Sequence, residues 1–414
     1  MSQLSRREAV LVFLAFAVAY FLSALIRAIT ATISPALTAE LALGAKDLGL
    51  LAGGYFLGFA ATQLPLGNWL DQHGPKRVIL CLLSVAVVGC IAFSWASGFT
   101  GLLLARILCG VGVSACLMAP LTGYRRWFDA AALMRANSWM LMSGSLGMVA
   151  STLPVQWLMP LFGWRTLFVG LAILLALAML LIFWQVPAWS KDPMAASDQI
   201  RGQKTPSSGY SEVWAHPYFR KMAPIGFFTY GGLVAMQTLW VVPWMTRVAG
   251  YTPVEAATGL FWLNMGMLVS FWLWGLLSPW LVKRGLNAER LIAAGLPLSF
   301  IALGTIIFAE ANLGQWTALG LTLYCITCTF VSLAQPSVGM AFAPHLAGRA
   351  LSAYNLVIFS GVFTIQWGIG LLIDGFKALG WAEVAAFQAA LSVFLFCCIG
   401  SYLHFLLAAG GKKS

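Results

Sequence analysis

Twelve long apolar stretches, separated by short charged segments, dominate this 414-residue chain. A helix needs about 20 apolar residues to cross a bilayer, and each stretch is long enough. Only 9% of the residues are charged, against about 25% in soluble domains. The stretches also lack the alternating polarity of β-barrel strands. We therefore predict an all-α membrane protein whose twelve transmembrane spans lie at roughly 9–38, 48–70, 77–97, 99–121, 136–160, 166–187, 222–248, 256–281, 289–309, 314–343, 350–374 and 384–408.

Lysine and arginine are unevenly divided between the two predicted sides of the membrane. If the N-terminus is cytoplasmic, 18 of the 24 cations lie inside. Only Lys46, Arg165, Arg247 and Lys377 lie outside. The positive-inside rule then predicts that both termini are cytoplasmic. Topology and anionic membrane lipid explain the net charge of +11, so no nucleic-acid partner is expected.

A polar stretch at residues 190–221 separates six predicted spans from the other six. It is rich in Lys, Asp, Ser, Pro and Gly, a composition typical of a flexible linker. Short motifs recur in the same order on both sides, such as 135–138 with 349–352 and 163–164 with 380–381. Chance recurrence of common residues is the alternative. We predict a six-helix bundle at 1–189, a cytoplasmic linker at 190–221 and a second bundle at 222–414.

Charge is unusually dense between predicted spans 2 and 3, in the segment GNWLDQHGPKR at residues 67–77. Its Gly67, Asp71, Gly74, Lys76 and Arg77 resemble the loop signature of the major facilitator superfamily, G-x-x-x-D-x-x-G-x-[RK]-[RK]. The segment RILCGVG at 106–112 is similar to the span 4 motif of that superfamily. The resemblance covers essentially the whole chain. It implies a secondary transporter, not an enzyme, in which two six-helix bundles rock about a midplane site.

The resemblance also implies a gate at the cytoplasmic side. Asp71 would face the N-terminal end of span 11 across the boundary between the bundles. Arg135, or else Arg125 and Arg126, would hold it there. We expect Gly67 and Gly74 to allow a tight backbone path between spans 2 and 3. For Lys76 and Arg77 the alternative is that they only fix the topology. The predicted gating residues are Gly67, Asp71, Gly74, Lys76, Arg77 and Arg135.

Arg27 and Arg106 are the only charged residues deep inside predicted spans. An arginine at the centre of a membrane helix costs about 2.5–3.5 kcal/mol on insertion scales, so it normally faces a cavity or a partner. Arg27 shares a helix face with other polar residues at a spacing of three to four, namely Tyr20, Ser23, Thr30 and Ser34. Two alternatives stay open. Arg27 could snorkel to the outer interface, and Arg106 could make a structural hydrogen bond to the backbone of span 1.

Neutral polar side chains occupy the spans of the second half. A buried cation needs a counter-charge, and the predicted spans contain no deep carboxylate. An arginine-bearing first half opposite an uncharged second half therefore favours an anionic substrate. The predicted substrate-binding residues are Arg27, Tyr20, Ser23, Arg106, Gln237, Trp240, Asn264, Gln335 and Gln366.

These observations predict a secondary active transporter that moves a small, carboxylate-bearing organic anion across the cytoplasmic membrane, coupled to protons. The proton would travel on the substrate, on a helix-end acid such as Asp374 or Glu310, or on His404. The alternatives are proton-driven export of amphipathic compounds or drugs, and a solute sensor without transport. Clustered metal ligands and nucleotide-binding motifs are missing from the sequence, so we expect no metal or cofactor. The chain is expected to be a monomer.

Overall fold

The computed structural model describes residues 4–128, 130–189 and 209–408. Every regular element in these ranges is a helix, which confirms the all-α fold class. We call the end that carries Leu4 and Asp71 the inner end and the opposite end the outer end, following the predicted topology. The first half contains α1 (Arg6–Leu41), α2 (Ala45–Ala61), α3 (Gln63–Trp95), α4 (Phe99–Val113), α5 (Met118–Trp127), α6 (Ala130–Ala150) and α7 (Leu153–Gln185).

The second half begins with two short helices and continues through a span of mixed helix type. Its α-helices are α8 (Gly209–Ala215), α9 (Pro217–Pro224), α10 (Gly231–Ala235), α11 (Val241–Arg247), α12 (Pro253–Lys283), α13 (Ala288–Ala309), α14 (Thr317–Cys328), α15 (Ala334–Met340), α16 (Pro344–Ala378) and α17 (Glu383–Leu407). Two π-helical segments, Ile225–Tyr230 and Met236–Trp240, lie on either side of α10. Two 3-10 segments, Glu310–Trp316 and Thr329–Leu333, flank α14.

Two glycines divide long helices into separate spans. Gly74 inside α3 has φ 77° and ψ 162°, and Gly163 inside α7 has φ 69° and ψ 162°. This backbone region is open only to glycine, so the chain reverses at both points. The start of α3 therefore extends α2 into predicted span 2, and the start of α7 extends α6 into predicted span 5. Ten helices of the described part are each long and apolar enough to cross a membrane.

Residues 190–208 of the predicted linker at 190–221 lie outside the described residues. The remainder of the linker contains α8 and the start of α9. α9 begins there because Pro217 occupies its first turn and His216 accepts a hydrogen bond from the N–H of Tyr218 at 3.2 Å. Val213 and Phe219 are buried, so packing of these helices outweighs the polar composition. The division of the chain into two bundles remains a prediction.

Several helix contacts join the two halves. α1 packs against the second π-helical segment and α11, α2 packs against α16, and α6 packs against α12. π-helical turns are frequent at functional sites. Here they form the part of the second half that faces α1, the helix that carries Arg27.

Candidate functional site

Arg27 lies within α1, about two-thirds of the way towards its outer end. Its side chain is only partly exposed, and its Nε is buried without a hydrogen-bond partner among the described residues. That combination is expected of a side chain that faces an internal cavity. Leu41, the last residue of α1, is about 21 Å farther along the helix axis. That Arg27 faces a cavity and does not snorkel to the outer interface remains a prediction.

Three tyrosines surround the Arg27 guanidinium closely enough to interact with it electrostatically. They are Tyr20 on α1, Tyr55 on α2 and Tyr230 at the end of the first π-helical segment. Tyr20 is within hydrogen-bonding range of Arg27. Phenol oxygens can accept hydrogen bonds from a guanidinium but carry no negative charge. The tyrosines therefore orient Arg27 without neutralising it.

Sequence reasoning found Tyr20 but missed Tyr55 and Tyr230. A tyrosine in a predicted span usually marks a membrane interface or packs among helices. The signal for a different role was their position well inside spans 2 and 7, away from the predicted ends. Tyr55 is fully buried and its hydroxyl donates to the Ser23 carbonyl at 3.5 Å. Ser23 is itself buried and lies on α1 with Tyr20 and Arg27, and the role of these three residues towards a substrate remains a prediction.

Arg106 is fully buried on α4. Its Nη1 donates to the Ile26 carbonyl at 3.0 Å, and its guanidinium carbon lies 5.1 Å from the centre of the Tyr55 ring. For Arg106 the alternative to substrate binding was a structural hydrogen bond to the backbone of span 1. The structure contains that bond. Because Ile26 precedes Arg27, the bond fixes the backbone that carries Arg27. Arg106 thus joins the group through a backbone carbonyl and an aromatic face.

No carboxylate of the described residues pairs with Arg27 or Arg106. The described ion pairs join Arg165 with Glu40, Lys221 with Glu289, and Lys377 with Glu383. They all lie near helix ends. The positive charge at the centre of the first half is therefore uncompensated by the described part of the chain, and an anion would satisfy it.

The amides of the second half form separate pairs. Gln237 Nε2 donates to Asn264 Oδ1 at 2.6 Å, and Asn264 Nδ2 lies 3.5 Å from the Met148 carbonyl of α6. This pair therefore bridges the two halves. Gln335 Nε2 donates to Asn355 Oδ1 at 2.6 Å.

Gln366 and Trp240 belong to another group. Trp240 Nε1 donates to the Gln366 carbonyl at 3.1 Å, and Gln366 Nε2 donates to Thr238 Oγ1 at 2.9 Å. Both residues are buried, while Gln366 Oε1 has no partner among the described residues. Trp240 also lines a cavity of about 360 Å³ at the outer end. The described contacts do not join these amides to Arg27, so their role towards a substrate remains a prediction.

The loop between spans 2 and 3 is built on Gly74. A Cβ there would lie 2.2 Å from Cγ of Trp189, so both the positive φ and the close contact require glycine. Lys76 Nζ donates to the Val186 carbonyl at 2.7 Å, which attaches the loop to the end of α7. Gly67 lies within the helical part of α3, and nothing stands within 4 Å of where its Cβ would be. The expectation that Gly67 serves the turn is therefore wrong.

Asp71 is exposed at the inner end, and none of the described residues forms an ion pair with it. Arg77 and Arg135 are also exposed. Arg135 lines an inner pocket of about 650 Å³ together with Arg6 and Trp139. The predicted contact between Asp71 and Arg135 is absent from the described contacts, so the cytoplasmic gate is not closed through this pair.

Comparison with known proteins agrees with this architecture. The sequence profile of the Major Facilitator Superfamily matches residues 16–366. A probable sulfoacetate transporter of Cupriavidus necator is 23% identical over 81% of this chain and 80% of its own length. A probable L-galactonate transporter of Escherichia coli is 23% identical over 69% of this chain and 66% of its own length.

Solved structures show the same fold. A bacterial homologue of the human lysosomal transporter Spinster, in an inward-facing and unoccupied conformation, has a TM-score of 0.77 at 17% identity. The alignment covers 98% of this chain and 97% of that one. These relatives are transporters and not enzymes. The chain is a multi-pass membrane protein that belongs to the Major Facilitator Superfamily.

Proposed function

We propose that the protein is a secondary active transporter that carries a small organic anion across the cytoplasmic membrane by alternating access. The observation that carries this proposal is Arg27, which lies among tyrosines from both halves and has no carboxylate partner in the described part of the chain. A carboxylate or sulfonate would supply the missing charge, and an arginine fork can hold it through two hydrogen bonds.

The relatives support an anionic substrate. Sulfoacetate and L-galactonate, named for two of them, are small organic acids that are ionised at neutral pH. The distribution of cations supports an orientation with both termini in the cytoplasm. We also propose that the protein is a monomer surrounded by lipid.

Proton coupling is part of the proposal, and its predicted carriers are the substrate, Asp374, Glu310 and His404. Of the three residues, Asp374 is bound to α2 and His404 is exposed near the inner end. The side chain of Glu310 lies outside the described residues. A proton that crosses with the anion needs no carboxylate of the protein at the membrane centre.

Uptake by purified protein in proteoliposomes tests the function. Radiolabelled sulfoacetate and L-galactonate are supplied with an imposed pH gradient, a membrane potential alone or a sodium gradient alone. We expect uptake of at least one acid, driven by the pH gradient and not by sodium. Transport of neutral amphipathic dyes without either acid would favour drug export instead. Binding of an acid without flux would identify a sensor.

A further inference from the structure

The outer end of α2 starts without a side chain that can cap it. Its N-cap residue is Gly44, whereas Ser, Thr, Asp or Asn usually accepts the first free N–H groups of a helix. A residue of the other half does so here. Ala45 N–H donates to Asp374 Oδ1 at 3.2 Å, and Lys46 N–H donates to Asp374 Oδ2 at 2.8 Å. Asp374 lies near the C-terminal end of α16, so the cap of α2 is supplied across the interface.

The contact around this cap is close. A Cβ on Gly44 would lie 2.8 Å from Asp374 Oδ2, and one on Gly370 would lie 2.3 Å from the Ala45 carbonyl oxygen. Farther inward, a Cβ on Gly49 would lie 2.3 Å from the Gln366 carbonyl oxygen. Backbone therefore touches backbone between α2 and α16. Any separation of the halves at the outer end must break the Asp374 hydrogen bonds and these contacts together.

The inner end also has a helix start without a capping side chain and an aspartate nearby, but no described contact joins the two. α16 starts with Ala343 as its N-cap residue, which has no capping group. Asp71 lies near the inner end of the neighbouring span and is exposed, with no ion pair in the described ranges. Each of the two helices thus begins with a residue that cannot cap it, and each of the two spans ends near an aspartate. Only the outer aspartate is engaged.

We propose that Asp374 is the outer latch of the transport cycle. Its carboxylate stabilises the outer-closed state by capping α2, because an anion at a helix N-terminus offsets the helix dipole and accepts its free N–H groups. It must release α2 before the outer end opens, and it alternates with the contact predicted for Asp71. The proposal rests on the proposed function only through alternating access, and it is independent of the substrate.

Distance measurements between nitroxide labels test the latch without any substrate. Labels on Ser97→Cys, in an outer loop of the first half, and Val254→Cys, at the outer start of α12, replace exposed residues of different halves. The distance between them, measured by electron–electron double resonance, reports the opening of the outer end. Exposed Cys81 is replaced by Ser in all variants. For Asp374→Ala we expect the ratio of outer-open to outer-closed protein to rise about tenfold, equivalent to ~1.4 kcal/mol. Asp374→Asn keeps one acceptor and should give a smaller rise.

Glu383→Gln is the matched control. Glu383 is another outer carboxylate, 3.8 Å from Lys377 and not at the start of α2, so the ratio should stay at the wild-type value. Gly370→Ala should shift the ratio in the same direction as Asp374→Ala, since it pushes against the Ala45 carbonyl. It provides a second route if Asp374→Ala does not fold. Wild-type distances between the labels in Asp374→Ala would overturn the latch. If that variant does not fold, wild-type distances in Gly370→Ala would do the same. Neither result bears on anion uptake, which the proteoliposome assay tests separately.

Discussion

The two arginines inside the membrane-spanning helices are close neighbours with different surroundings. Arg106 is completely buried and donates to the Ile26 carbonyl, with the Tyr55 ring against its guanidinium. Arg27, one residue beyond that carbonyl, keeps accessible surface among three tyrosines. Arg106 bonds two helices together, and we propose that Arg27 binds the ligand. The comparison indicates that the contacts of an intramembrane arginine, and not its residue type alone, determine its role.

Arg27→Ala should produce the largest loss of substrate affinity. Removing one side of a buried charge pair typically costs about 2–5 kcal/mol, so Kd for the transported acid should rise by more than tenfold. Affinity is measured on detergent-purified protein by ligand-dependent thermal shift. The melting temperature without ligand should change little, because the described contacts leave no backbone carbonyl unpaired when Arg27 is removed.

A neutral amide analogue of the acid provides the control for this variant. It should bind wild-type protein weakly and lose little further affinity in Arg27→Ala, since the charge interaction is already gone. Equal affinity of Arg27→Ala and wild type for the acid would remove Arg27 from the site. The anion proposal would then depend on Arg106 alone.

Arg106→Ala should act mainly on stability. It removes a hydrogen bond from a charged donor and leaves the buried Ile26 carbonyl without that partner, a loss of about 1.5–3 kcal/mol. We expect a lower melting temperature without ligand and a smaller loss of affinity than in Arg27→Ala. The opposite pattern, unchanged melting with strongly weakened binding, would make Arg106 a substrate contact and end the distinction between the two arginines.

Arg27→Lys should have an intermediate effect. Lysine keeps the positive charge but lacks the planar fork that binds a carboxylate through two hydrogen bonds. We expect Kd to rise about tenfold, or ~1.4 kcal/mol, in the same thermal-shift assay. An affinity as low as that of Arg27→Ala would show that geometry matters more than charge, and wild-type affinity would show that charge alone is recognised.

Tyr230→Phe should have the smallest effect of the series. It removes one hydroxyl near Arg27 that makes no hydrogen bond among those described, so the loss of affinity should stay below the value of about 0.5–1.5 kcal/mol for a typical hydrogen bond. Tyr124→Phe is its matched control, since the Tyr124 hydroxyl is buried without a partner in the described part of the chain and Tyr124 lies at the inner end of α5. If both variants lose the same affinity, the tyrosines around Arg27 do not orient it.

Several features of the fold could be predicted because their signals are local. The length and apolarity of each stretch correctly predicted helical spans, and twelve of them can be traced once the reversals at Gly74 and Gly163 are included. The loop motif and Arg106 correctly indicated the family before any comparison. Composition alone does not reveal that Val213 and Phe219, inside the predicted linker, are buried.

The sequence by itself determined that the chain crosses a membrane repeatedly and carries two arginines where charge is costly, since both follow from which residues occur in each stretch. Only the tertiary structure decided what those residues face. It placed Tyr55 and Tyr230 beside Arg27, gave Arg106 a carbonyl from another helix, and bonded Asp374 to residues more than 300 positions earlier in the chain. The physical reason is that hydrogen bonds and burial depend on distances between helices, which no spacing along a single helix specifies.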